Sequence, residues 1–257
     1  MPPMKTWDEI TLLIALRYFI IAGVAFLFWY VLLKKKIAFK KIQLRFPTNK
    51  DYRREIFYSV ITIAIFSFVP TVLLSPPIRQ YTLFYTDIHQ YGMVWFWLAF
   101  PVMLVVHDAY FYFTHRLMHH PKLFKYIHLL HHKSVNPSPW AAFAFHPLEA
   151  VVEVGILVIF IFCMPVCFFH LFFFFLFMMV YNVYGHLGWE LYPKGFSTSF
   201  IGKWINTSVN HNQHHQYFKG NYGLYFLWWD RLFKTIREDY DIKFDEVKNR
   251  KDVLSKV

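Results

Sequence analysis

The sequence predicts an all-α integral membrane protein with its polar chemistry gathered at one membrane face. Three observations predict it: long apolar runs, one short basic segment between two of them, and histidine clusters on helical spacing. Hydrophobic residues make up 56% of the 257 and aromatics 22%, while charged residues reach only 17%. Soluble domains carry about 25% charged residues. Thirty-one phenylalanines, many in runs, point to a single membrane-embedded domain over 1–257.

A bilayer-spanning helix needs about 20 apolar residues. Residues 11–33 qualify despite Arg17, residues 56–74 qualify, and residues 92–113 form a third span with a kink expected at Pro101. The run 151–183 is too long for one span and short for two. Pro165 divides it, and proline commonly opens a helix, so a hairpin of two short helices is expected there. The architecture is then about three full transmembrane helices plus a short helical hairpin, with a helical cap on the cytoplasmic side.

Orientation follows from charge. Residues 34–54 hold nine basic side chains against one acid, Asp51, the signature of a cytoplasmic loop and of affinity for anionic lipid headgroups. Most of the formal +11 charge sits in that loop, so no nucleic-acid partner is expected. Counting crossings from there puts 75–91 outside and returns the third span to the cytoplasm. The hairpin re-enters on the same side, so every histidine cluster ends on one face. Residues 234–257 mix seven basic and six acidic side chains and read as a solvated C-terminal tail. The first apolar run is too long for a signal-peptide core and lacks a small-x-small cleavage site, so it reads as retained. Cys163 and Cys167, four apart, cannot form a normal disulfide and read as packing residues.

His115 and His119 are four apart, on one helix face. His128, His131 and His132 repeat at i, i+3, i+4, and so do His211, His214 and His215. Packing so many imidazoles in a core would leave ring nitrogens wanting partners; surrounding metal ions would not. The zinc-peptidase motif HExxH is absent, and no glutamate has histidine three residues on, which carboxylate di-iron bundles require. Histidine doublets do not suit bis-histidine haem. Spacing leads to a two-metal, all-nitrogen site, open to iron, copper, nickel or zinc.

The segments "HDAYFYFTHRLMHH", "HLLHH", "AFHPLE", "GHLG", "NHNQHH" and "NYGLYFLWWDRLF", in that order, resemble the sterol desaturase branch of the fatty acid hydroxylase superfamily. These are membrane-bound histidine-box di-iron oxidoreductases, and the resemblance is strongest over 107–233. It implies that His115 and His119 of an HxxxH box bind metal, with His128, His131, His132, His211, His214 and His215 of two HxxHH boxes. A lone histidine after the last membrane helix, here His186, joins them. Spacing alone would not nominate His186. The resemblance further implies two non-haem Fe ions, O2 as co-substrate, and hydroxylation or desaturation of a membrane lipid of sterol or fatty acyl type. The membrane would be a bacterial inner membrane or the endoplasmic reticulum. Lys234 departs from the family, where many relatives place glycine, and puts the local turn in question.

Other residues carry weaker expectations. His107 and Asp108 either support a ligand through a histidine–carboxylate contact or cap the span, and His146 either lines the site or bonds a loop. His120 and His89 read as structural or solvated, and His170 as a neutral histidine bonded to a neighbouring helix. Trp228, Trp229 and Arg231 could anchor the cap at the interface. Apart from the metal ligands no catalytic base or nucleophile is expected. With no GxGxxG fingerprint, electrons are expected from a separate cytochrome b5- or ferredoxin-like protein drawn to the basic loop. A metal-dependent membrane hydrolase and a non-catalytic metal-binding membrane protein are the alternatives, and neither would consume O2.

Overall fold

In a computed structural model, which describes residues 6–250, the apolar runs become helices and the segments between them fold into a cap at one end. α1 (Trp7–Phe26) opens behind Thr6, whose backbone N–H donates to Glu9 Oε2 at 2.9 Å, and continues through a wider π-helical turn, Leu27–Leu32. After the short α2 (Lys34–Ile37), α3 (Asn49–Leu73) starts from a reciprocal cap. Thr48 N–H donates to Asp51 Oδ2 at 2.9 Å and Asp51 N–H to Thr48 Oγ1 at 3.4 Å, satisfying donors that every helix start leaves over. This cap extends α3 seven residues upstream of the apolar run. Next come α4 (Pro76–Arg79), β1 (Phe84–Tyr85) and α5 (Gly92–Met118), which runs through Pro101 as one helix.

α6 (Pro121–Ile127) and α7 (Leu129–His132) lead away from α5, and the hairpin follows as α8 (Pro147–Cys163) and α9 (Phe168–Gly185). Pro165 sits in the turn as expected, but it does not open α9. Val166–Cys167 first pair as β2, parallel to β1, and α9 begins after Cys167, whose N–H donates to His170 Nδ1 at 3.1 Å. His170 Nε2–H donates to the Phe96 carbonyl of α5 at 2.8 Å, so that ring ties two helices together. Four described helical stretches are long and apolar enough to cross a membrane: Trp7–Leu32, Asn49–Leu73, Gly92–Met118 and Phe168–Gly185. Exposed leucines, valines and phenylalanines such as Leu16, Phe57, Val94 and Phe173 stud their outer faces, as lipid-facing surfaces require.

The cap is completed by α10 (Ser208–Tyr217), α11 (Trp228–Leu232) and α12 (Tyr240–Asn249). Here the expectation of a solvated tail over 234–257 is corrected. Tyr240, Phe244 and Val247, on one face of α12, are buried against Ile42, Val209 and Leu227, because the i, i+4, i+7 spacing makes an apolar stripe. The last seven residues of that predicted tail, 251–257, lie outside the described residues. The basic segment also packs more closely than a free loop would. Lys41 is fully buried, donates to Asn136 Oδ1 at 2.7 Å, and burial pushes its ammonium down to about 7. Lys34, Lys35, Lys36, Lys40, Arg45, Lys50 and Arg53 remain exposed.

Candidate metal centre

Nine histidines meet where the ends of α5, α7, α9 and α10 converge. One nitrogen from each of His115, His119, His128, His132 and His214 lies within 4.8 Å of the others in that group; His131, His186, His211 and His215 form a second such group. All are buried except His119, which is half-buried. Helical spacing accounts for the paired members. Each i,i+4 pair (His115 with His119, His128 with His132, His211 with His215) stays together on one face. The intervening residue of each HxxHH box, His131 or His214, crosses to the other group.

Hydrogen bonds on the far side of the rings fix which nitrogen looks inward. A carbonyl only accepts, so His115 Nδ1–H donates to Tyr222 O at 2.9 Å, His186 Nδ1–H to Asn182 O at 2.8 Å, His214 Nδ1–H to Gly220 O at 2.8 Å and His215 Nδ1–H to Ser134 O at 3.0 Å. His128 Nδ1–H donates to the buried Glu149 carboxylate at 2.7 Å. In a neutral ring whose Nδ1 carries the proton, Nε2 is a lone pair. Yet His115 Nε2 faces His128 Nε2 at 3.0 Å and His186 Nε2 faces His215 Nε2 at 3.2 Å. Two facing acceptors cannot bond each other; a shared cation reconciles them. His214 Nε2, buried among the same rings, has no hydrogen-bond partner at all. Burial holds His119, His128, His131, His132, His186, His211, His214 and His215 below the usual imidazole range, which keeps them in the neutral form that binds metal. The donor set therefore fits two metal ions, with nitrogen ligands that suit iron among other transition metals.

The histidine–carboxylate contact, one of the two readings left open for Asp108, is made by Glu149 instead. Asp108 accepts from the backbone N–H groups of Tyr225 and Phe226, at 2.9 and 3.1 Å, and Asp230 accepts from Tyr222 N–H and Gly223 N–H, at 2.9 and 2.7 Å. The two carboxylates pin the 222–226 loop that supplies the carbonyl for His115. His107 Nδ1 pairs with the Tyr225 hydroxyl at 3.0 Å and lines the cavity below the centre. His146 does not line it. Its Nδ1 accepts from Leu148 N–H at 3.2 Å, capping α8 and so aiming Glu149 one turn later. Glu149 is the residue that sequence reasoning missed, although an acid one turn into a membrane helix was a visible signal.

The family model for fatty acid hydroxylases matches residues 100–235, the stretch that carries every histidine of both groups and the four carbonyls that bond their rings. The chain belongs to the fatty acid hydroxylase family. Similar curated proteins include a Delta(7)-sterol 5(6)-desaturase of Gibberella zeae, 34% identical over 195 residues, covering 75% of this chain and 58% of the relative. A second, from Aspergillus fumigatus, is 30% identical over 213 residues, covering 75% of this chain and 65% of its own. A lathosterol oxidase of Rattus norvegicus is 33% identical over 182 residues, covering 70% and 59%. The chain thus spans between half and two thirds of these relatives' length. No solved structure matches it.

Against this hydroxylase-family background, the turn put in question by Lys234 is kept. Lys234 adopts φ 54°, the left-handed region that glycine occupies freely, while Thr235 on its far side bonds Asp230 Oδ1 at 2.7 Å. Beneath the centre lies a cavity of about 550 Å³, within the range of ligand sites. His115, His128, His131, His186 and His211 border one end of it, phenylalanines and leucines of α3, α8 and α9 form its walls, and Arg79 and Thr86 stand at the other end.

Proposed function

We propose that this protein is an O2-dependent non-haem di-iron oxidoreductase that hydroxylates or desaturates an unactivated C–H bond of a membrane lipid. One observation carries the reading: two histidine groups with inward-facing lone pairs border an apolar cavity within the membrane helices. His115, His119, His128, His132 and His214 would hold one iron, and His131, His186, His211 and His215 the other. When bound, the irons supply the redox chemistry that activates O2, which no side chain can supply. The chain's own part is to orient and to exclude. Glu149 and the carbonyls of Tyr222, Asn182, Gly220 and Ser134 lock ring orientation, and the apolar walls keep water from the lipid.

The names of the relatives, sterol 5(6)-desaturases and a lathosterol oxidase, favour a sterol substrate and desaturation. The exposed lysines of the 34–54 segment, on the same end of the protein as the histidines, support a cytoplasmic face and an acidic, separate electron donor. The test is untargeted lipid mass spectrometry of membranes with and without the protein, alongside oxygen uptake by reduced, iron-loaded protein. A lipid lighter by two hydrogens marks desaturation, and one heavier by one oxygen marks hydroxylation. No change in any lipid, with no oxygen uptake, refutes the reading.

A further inference from the structure

Two cations line the cavity without serving the metal centre, Arg79 at the end away from the histidines and Arg17 in the wall. Arg17 lies near the middle of the 26-residue stretch Trp7–Leu32, roughly 15 Å of helix from its start. Ile10, Leu13, Ile14 and Arg17 follow the i, i+3, i+4, i+7 spacing of one helix face, and all four line the cavity. Arg17 therefore looks into the cavity, not out at lipid. Its Nε is buried without a hydrogen-bond partner. None of the ion pairs among the described residues includes it.

An ionised side chain at membrane depth is costly and persists where it meets a partner. A guanidinium has five N–H donors and no acceptor, so the missing partner is an acceptor, and the ligand must bring it. We propose that Arg17 anchors the oxygen of a lipid head group inside the cavity, either the hydroxyl of a sterol or the carboxylate of a fatty acid. The lipid's carbon skeleton then runs along the apolar wall, and the distance from the anchored oxygen sets which carbon faces the histidines. Arg17 is a positioning residue on this view. Glu153, which also lines the cavity, is the rival group for a hydroxyl. The inference rests on the cavity being the lipid site proposed above.

Binding to metal-free, full-length protein in detergent tests it, because no iron chemistry is then involved. The probes are two matched pairs, cholesterol against cholestane and oleate against octadecane. Wild type is expected to bind the oxygen-bearing member of at least one pair roughly tenfold to a hundredfold more tightly, the range of a hydrogen bond to a charged donor. The pair that shows the preference tells hydroxyl from carboxylate. Arg17→Met should erase the preference, Arg17→Lys should keep part of it, and Glu153→Gln should leave it intact. Removing an unpaired buried charge should also leave the unfolding temperature unchanged or raised. No preference in wild type, a preference retained in Arg17→Met, its loss in Glu153→Gln alone, or a lowered unfolding temperature or failed folding in Arg17→Met would each overturn the anchor. Tight head-group-dependent binding without oxygen uptake would instead overturn the oxidoreductase reading and leave the anchor standing.

Discussion

Replacing Glu149 with glutamine probes the metal centre without touching a metal-facing atom. The bond it alters is short, 2.7 Å from Glu149 Oε1 to His128 Nδ1, and both side chains are almost fully buried, at 1% and 3% exposure. Glutamine preserves the shape and one acceptor oxygen but removes the charge. A hydrogen bond to a charged group is worth about 1.5–3 kcal/mol and a neutral one about 1 kcal/mol, so the substitution should cost roughly 0.5–2 kcal/mol. That is a factor of about 2–30 in affinity, overlapping the roughly 10–100-fold found when partners behind metal-bound histidines are changed. The effect should be confined to the group containing His128. Anaerobic titration with Co2+, followed by its visible absorption, would report two binding events per chain in wild type. In Glu149→Gln one of them should weaken by that factor while the other holds. Equal weakening of both, or of neither, would refute the division of the nine histidines into groups of five and four and the role given to Glu149.

Three further expectations follow from the same geometry. His214→Ala should abolish one of the two metal equivalents and lipid oxidation with it, while His170→Ala should lower stability by roughly 1–3 kcal/mol through an unpaired Phe96 carbonyl and leave metal content per folded chain unchanged; metal analysis of purified, iron-reconstituted protein separates the two. Lys234→Gly should raise stability by up to about 1 kcal/mol, because glycine meets the left-handed backbone without the steric cost of a Cβ but forfeits chain entropy, and thermal unfolding measures it. Exchanging Lys34, Lys35 and Lys36 for glutamate should slow reduction by an acidic donor at low ionic strength and matter little at high salt, since exposed charges are screened; stopped-flow reduction at two salt concentrations checks it.

Much of this fold could be read from apolar runs, because a helix in lipid must satisfy its own backbone and leaves a long hydrophobic trace. The ends were harder to read. α3 begins seven residues before its apolar run because Thr48 and Asp51 cap it in a polar stretch, and α12 hides its stripe of Tyr240, Phe244 and Val247 among charged neighbours. At the centre, the i,i+4 spacing placed histidine pairs on shared faces, but nothing in the spacing told which neighbour of a box would cross over. That depends on how α7 and α10 face one another. The carbonyls of Tyr222, Asn182, Gly220 and Ser134 that select the Nδ1–H form were invisible for a simpler reason: a backbone carbonyl is the same in every residue. Glu149 was visible as a type, and only the fold brings it to His128.

The docking of α12 against Ile42 and Val209 has a consequence for how the protein is made. Val209 opens the helix that bears His211, His214 and His215, and Arg250 beyond α12 bonds the carbonyls of Lys41 and Ile42. Synthesis proceeds from the N-terminus, so every ring of the centre leaves the ribosome before the segment that backs it. During that interval Val209 of α10 lacks the α12 side chains that cover it in the folded protein. A chain stopped at residue 239 would hold all nine rings and lack the support of α12. Docking of α12 thus comes after every ring of the two histidine groups has been made.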